Sequence, residues 1–152
     1  MSGIINMAGS RSGVIGITEL DYEEGTWTPT VYGSSTAGTS IVYSTQDATY
    51  TKVGRVVHFY ARLSTTDLDD MSGAMNIAGF PFAAGVSWGG VTFTRAVALN
   101  VTVGANITGW MSSGNSYMQL MTWDDSGGNT TLLPAEWSDD GDVMFYGHYS
   151  SA

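Results

Sequence analysis

The chain has 152 residues, enough for one ordinary domain, and its 43% hydrophobic and 12% charged side chains leave too little charge to coat that domain in the usual way. Seventeen serines, 18 threonines and 20 glycines supply the solvent-facing groups instead, a usage that favours strands and turns over helices. A net charge of -9, with no lysine or arginine after Arg95, repels phosphate backbones and excludes nucleic acid as a partner, and the lack of cysteine excludes disulfides and thiolate metal sites.

Residues 1–16, MSGIINMAGSRSGVIG, break every short apolar run with Gly or Ser, which fits neither a signal peptide nor a membrane span. Ile4, Ile5, Met7, Val14 and Ile15 are the apolar anchors and Arg11 is the only charge. This pattern predicts an extended docking arm, followed by a single domain over 17–152.

Glu19, Asp21, Glu23 and Glu24 then fall within six positions, immediately before Trp27 and Pro29. A glycosidase needs two carboxylates on rigid walls about 5–10 Å apart, and a lead-in to an edge strand is the wrong support. The acids read as solvated, with Leu20 and Tyr22 packing between them. Pro29 cannot donate to a ladder, so its strand, TWTPTVY, belongs at a sheet edge.

SIVYS and ATYTKVGRVVHFYARLSTT follow as strands, divided by TQD as a turn signal. In VTFTRAVALNVTV, residues 91–103, Val91, Phe93, Val97, Leu99, Val101 and Val103 share one face of a predicted strand. Arg95 is the single charge on that face, and the cost of burying a guanidinium predicts a carboxylate or carbonyl partner.

RVVHFYARL, SYMQLMTWD and DVMFYGHY carry bulky groups on both alternating faces, whereas one sandwich buries only one face of each sheet. The second face predicts a subunit interface, with His58, Tyr60, Arg95, Met118, Met121, Phe145 and Tyr146 as its candidates. His58 and His148 lack a nucleophile-elbow serine nearby and read as core or interface residues.

DDSGGN (124–129) and SDDGD (138–142) resemble oxygen-rich Ca²⁺ turns, but neither completes an EF-hand pattern, and strand-joining acidic turns are the commoner meaning. Three glycosylation-type triplets, at Asn100, Asn106 and Asn129, are expected by chance in a Thr-rich chain. Trp88, Trp110, Trp123 and Trp137 are candidates for stacking on sugar rings, against the alternative that they fill the core.

GTWTP at 25–29, YTKVG at 50–54 with Val57, and GFPF at 79–82 together resemble structural proteins of tailed bacteriophages. The resemblance covers most of the first hundred residues. It implies an all-β chain, an antiparallel, jelly-roll-like β-sandwich that trimerises at a fibre end or stands on the virion surface. It supplies no catalytic residue. The expectation is a non-enzymatic virion protein without cofactor or membrane insertion, a homotrimeric short fibre or capsid decoration held to other virion proteins by residues 1–16. With no heptad or collagen-like repeat in the sequence, a module without a shaft is expected. The alternative is a tail-fibre adhesin that binds host surface glycans.

Overall fold

The computed structural model describes residues 21–152, and the side chains of all of these except 87, 88, 124 and 125. Among these residues ten strands and one helical turn follow in chain order. They are β1 (Tyr22–Trp27), β2 (Thr30–Gly33), β3 (Val42–Val53), β4 (Val56–Asp67), β5 (Met75–Ala78), β6 (Ala84–Val97), β7 (Asn106–Trp110), β8 (Tyr117–Asp125), β9 (Gly128–Thr131), α1 (Pro134–Trp137) and β10 (Asp142–Ser151).

They form two antiparallel sheets, an all-β fold as the composition favours, in the sandwich arrangement that the family resemblance implies. Sheet A runs β1-β3-β4-β10-β6 and sheet B runs β2-β5-β8-β7, with β9 paired to β8. The arm predicted for residues 1–16, with Ile4, Ile5, Met7, Arg11, Val14 and Ile15, lies outside the described residues, as do Glu19 and Leu20.

Pro29 acts as expected and also divides its strand. Residues 22–27 form one edge of sheet A, Thr28 and Pro29 cross over, and residues 30–33 form one edge of sheet B. Gln46 Nε2 donates to the Pro29 carbonyl at 2.8 Å, holding the crossing against β3. The hairpin of YTKVGRVV closes with Val53 opposite Val56, and Gly54 takes the positive φ of 58° that a side chain would resist.

Two strand readings are corrected. TQD is no turn: β3 continues through it, with register shifts near Tyr43, and Asp47 lies opposite Arg62. The 91–103 strand starts earlier and stops at Val97, because Ala98 turns to a φ of 56°, while Leu99 and Val101 still pack against the core. The α1 turn immediately precedes the acidic turn at 138–142 and was not anticipated from the sequence. Pro134 opens it, and Glu136 Oε2 accepts from the Leu133 N–H at 2.8 Å.

Alternation sets the core. In β4 Val57, Phe59, Ala61 and Leu63 point inward, in β10 Val143, Phe145 and Tyr149, and in β8 Met118 and Leu120. Phe59 sits at the centre of an aromatic cluster. It meets Phe80 edge-on at 5.1 Å and lies within 6.4 Å of Trp27, Phe145 and Tyr149, while Trp27 stacks on Phe80 at 4.5 Å.

Two phenols tie loops and edges to this core. Tyr149 donates to the Phe82 carbonyl at 3.0 Å, and burial pushes its hydroxyl up to about 12. Tyr43 accepts from the Val31 N–H at 3.0 Å, pinning β2 to β3. Truncating Phe59 to Ala removes the hub of the cluster and is expected to cost about 3–5 kcal/mol, read as a lower denaturant midpoint at unchanged slope.

Candidate functional site

Met118 and Phe145 are removed from the predicted interface, because strand alternation turns both into the core, where they are only 1% and 2% exposed. Trp137 is likewise removed from the sugar-stacking candidates. It is fully buried, and its indole N–H donates to Thr65 Oγ1 at 2.9 Å. The side chain of Trp88 lies outside the description.

His58, Tyr60, Arg95 and Tyr146 come together on the outer face of sheet A. Tyr60 and Tyr146 are direct cross-strand partners and stack at 5.9 Å, though they remain 64% and 43% exposed. His58 and His148 are paired one step along the same strands, their rings 5.8 Å apart.

The tyrosine pair forms a ridge with a hollow on either side. One hollow, of about 370 Å³, reaches Asp47, Arg62 and Met144, and the other, of about 340 Å³, reaches Thr92 and both histidines. Val53, Val56 and Val97 are exposed at the margins of this face. Such a face, apolar and aromatic with nothing from the described residues covering it, is the kind of surface that marks an interaction site.

Asp142 anchors one end of the face. Arg62 approaches it with two donors, Nε to Oδ1 at 3.2 Å and Nη2 to Oδ2 at 3.0 Å, and Arg95 Nη2 reaches Oδ2 at 3.0 Å. The expected partner of Arg95 is therefore this carboxylate, but the expected placement on the apolar face is not what occurs. A β-bulge puts Phe93 opposite Phe145 and Arg95 opposite Met144, which turns the guanidinium outward. The hydrogen bond from Arg62 is the main reason the Asp142 carboxyl titrates below its ordinary value of 3.8.

The acids near the start of β1 do not converge. Asp21 pairs with Lys52 at 2.6 Å, Glu23 accepts from the Tyr50 hydroxyl at 2.7 Å, and Glu24 accepts from Tyr22 at 2.6 Å. Tyr22 was expected to pack and instead stays exposed, because it shares the outer face with Glu24. Charges along an edge strand discourage further strands from adding to it. Among the described residues no three His or acidic side chains gather as a metal site, and Asp139 of the second acidic turn accepts from the Leu68 N–H at 3.3 Å.

Trp110 and Trp123 point outward from sheet B, 41% and 63% exposed, and both stand on strands rather than on loops. Met121, an interface candidate in the sequence, is on this face too and away from Tyr60 and Tyr146. Where the β6 and β7 edges of the two sheets meet, a groove of about 730 Å³ opens between Gly89–Gly90 and His148 on one side and Thr108, Trp110, Gln119, Met121 and Asn129 on the other. Sequence reading singled out the tryptophan but missed its polar neighbours, which only the β7–β8 register brings beside it, Trp110 opposite Gln119 and Thr108 opposite Met121.

No family model matches the chain, and no curated protein matches it. Among solved structures it is similar to the Dettilon tailspike protein, with a TM-score of 0.74 at 16% identity, over 86% of this chain and 24% of that one. The chain thus spans about a quarter of the tailspike's length. At this identity the likeness is one of fold, and it places the present sandwich beside a module found within a tailspike.

Asp142→Asn removes the carboxylate shared by two arginines and is expected to cost about 1 kcal/mol, a modest figure because both guanidinia are roughly half-exposed and screened. The folded-state value is depressed, so the stabilisation holds above the ordinary value of 3.8 and fades as pH falls through and below it. Denaturant midpoints measured from pH 7 downward should therefore decline more steeply near the acid end for the parent chain than for Asp142→Asn.

Proposed function

We propose that this chain is a structural β module of a tailed-bacteriophage virion, displayed on the particle surface as a homotrimeric short fibre or decoration and working without catalysis. The observation that carries the reading is the ridge of Tyr60 and Tyr146 between two hollows on the outer face of sheet A. A second copy of the chain offers both the knob and the socket, and a face used in this head-to-tail way closes into a ring when the rotation allows. The fold likeness to a tailspike module supports the virion setting, and the sequence resemblance to tailed-phage structural proteins supports three copies.

The chemistry of the face fits a protein–protein contact. Aromatic and methionine side chains are the residues most enriched at such interfaces, and Asp142 with its two arginines gives a polar border. The glutamates of β1 each hold a tyrosine hydroxyl, an arrangement that suits a solvated edge better than acid–base work.

Sedimentation of the purified chain at micromolar concentration should give three times the mass of the 16.1 kDa polypeptide. Changing Tyr60 and Tyr146 together to Lys should weaken association about thirty-fold or more and leave a folded monomer, since a central aromatic anchor carries about 2 kcal/mol or more. A parent chain that sediments as a monomer would overturn the trimer.

Residues 1–16 are proposed as the attachment to other virion proteins. Deleting residues 2–16 should leave assembly of the β body intact and abolish incorporation into particles that otherwise lack the protein. Retained incorporation would move the attachment to the body itself.

A further inference from the structure

We infer that His58 and His148 together chelate a divalent transition-metal ion on the outer face of sheet A. Both ligands belong to one chain, so the inference rests on the reading of this face as a subunit contact only for what surrounds the ion in the assembly. The two are the only histidines of the sequence, and they are direct cross-strand partners on β4 and β10. Both strands are interior to sheet A, and the buried neighbours Val57, Phe59 and Tyr149 hold the two imidazoles outward. Ligands placed this way are fixed by the strand ladder and not by a loop, which is the support a metal site needs.

The spacing suits one shared ion. The ring centres are 5.8 Å apart, with their planes inclined at 42°. A metal–imidazole bond of about 2.0–2.1 Å puts an ion about 3.2 Å from each ring centre, so two rings sharing it have centres about 5.2 Å apart at a tetrahedral angle and about 6.4 Å apart at a linear one. The observed separation lies between these limits, and side-chain rotation alone brings a nitrogen of each ring onto the ion. No hydrogen bond or ion pair among the described residues engages either imidazole, so a lone pair of each is free to coordinate.

The surroundings admit a cation. Across the outer face the row through the pair reads Glu24, Thr51, His58, His148 and Gly90, with no lysine or arginine in it. Arg62 and Arg95 stand two outward positions further along the strands and are held on Asp142. The net charge of -9 favours a cation's approach. Gly90 keeps the flank of the site open, since a Cβ there would lie within 4.0 Å of both ring nitrogens of His148. Imidazole selects ions such as Zn²⁺ and Ni²⁺ over Mg²⁺ and Ca²⁺, which take oxygen ligands. The positions left on the ion open into the hollow of about 340 Å³ beside Tyr60 and Tyr146, and in the assembly proposed above they face the neighbouring copy.

The test is calorimetric titration of the intact, tag-free chain with Zn²⁺, and with Mg²⁺ as the contrasting ion. Zn²⁺ should bind in preference to Mg²⁺. His58→Ala and His148→Ala, both changes at exposed positions, should each lower the Zn²⁺ affinity at least ten-fold, and the double variant little further, because a chelate is lost with its first ligand. A folded parent chain that takes up no Zn²⁺, binding that survives either single change, or equal affinity for Mg²⁺ would each overturn the assignment. Sedimentation with and without Zn²⁺ should show the association unchanged or tightened. Dissociation caused by Zn²⁺ would mean that a side chain of the neighbouring copy fills this hollow, and would also overturn the site. A parent chain that proves monomeric yet binds Zn²⁺ through both histidines would sink the trimer and leave the site standing, whereas a trimer indifferent to Zn²⁺ would do the reverse.

Discussion

The inner face of sheet A is organised around the Phe59 ring, and the outward surface of the same strands follows from it. The ring touches Trp27 at the end of β1, Phe80 in the loop before β6, and Phe145 and Tyr149 on β10, so one side chain joins its own strand to three other stretches of the chain. Gly147 makes room for it, since a Cβ there would lie 2.9 Å from the Phe59 ring and 2.0 Å from the Gly90 carbonyl. The absence of a side chain at one position thus lets the ring sit centrally and lets β6 close against β10. The outer face of sheet A is a by-product of this arrangement, because each inward ring on β4 and β10 fixes an outward neighbour: Phe59 sets His58 and Tyr60, and Phe145 sets Tyr146.

Period-two alternation made that much legible in the sequence. The bulk on both faces of 55–63 and 142–149 signalled a second surface, and the outward set His58, Tyr60 and Tyr146 follows once one inward residue is known. Met118 and Phe145 were misassigned because a strand with bulk on both sides does not say which side is inside. Bulges were invisible for a related reason. The shift between Met144 and Phe145 reverses the facing of Arg95, and nothing in TFTRA announces it.

The groove was legible only in part. Trp110 stands out by residue type, but Gln119, Thr108 and Asn129 are ordinary polar residues until cross-strand register sets them beside it. The same limit applied to the tryptophans as a class. Trp137 resembled the exposed ones in the sequence, yet α1 places it in the core with its N–H on Thr65, while Trp110 and Trp123 ended on outward positions of strands. Pro29, by contrast, was informative because its constraint is covalent: a missing N–H restricts where the chain can pair whatever surrounds it.

Sheet A has a temporal property that its static description hides. Its interior strand β10 pairs with β4 across about eighty residues of sequence, and Arg55 reaches the Ser151 carbonyl at 3.1 Å over a still longer span. Until residues 142–151 have been made, β4 and β6 each lack a neighbour, and the Phe59 ring lacks two of its contacts. Loop closure over such distances precedes any return in contacts, so this domain belongs among the slow folders, with two long apolar strand edges open in the meantime. The scarcity of charge leaves few residues to guard them. A nascent chain of this design is therefore most vulnerable to aggregation just before its last strand arrives, and gains its protection in a single late step.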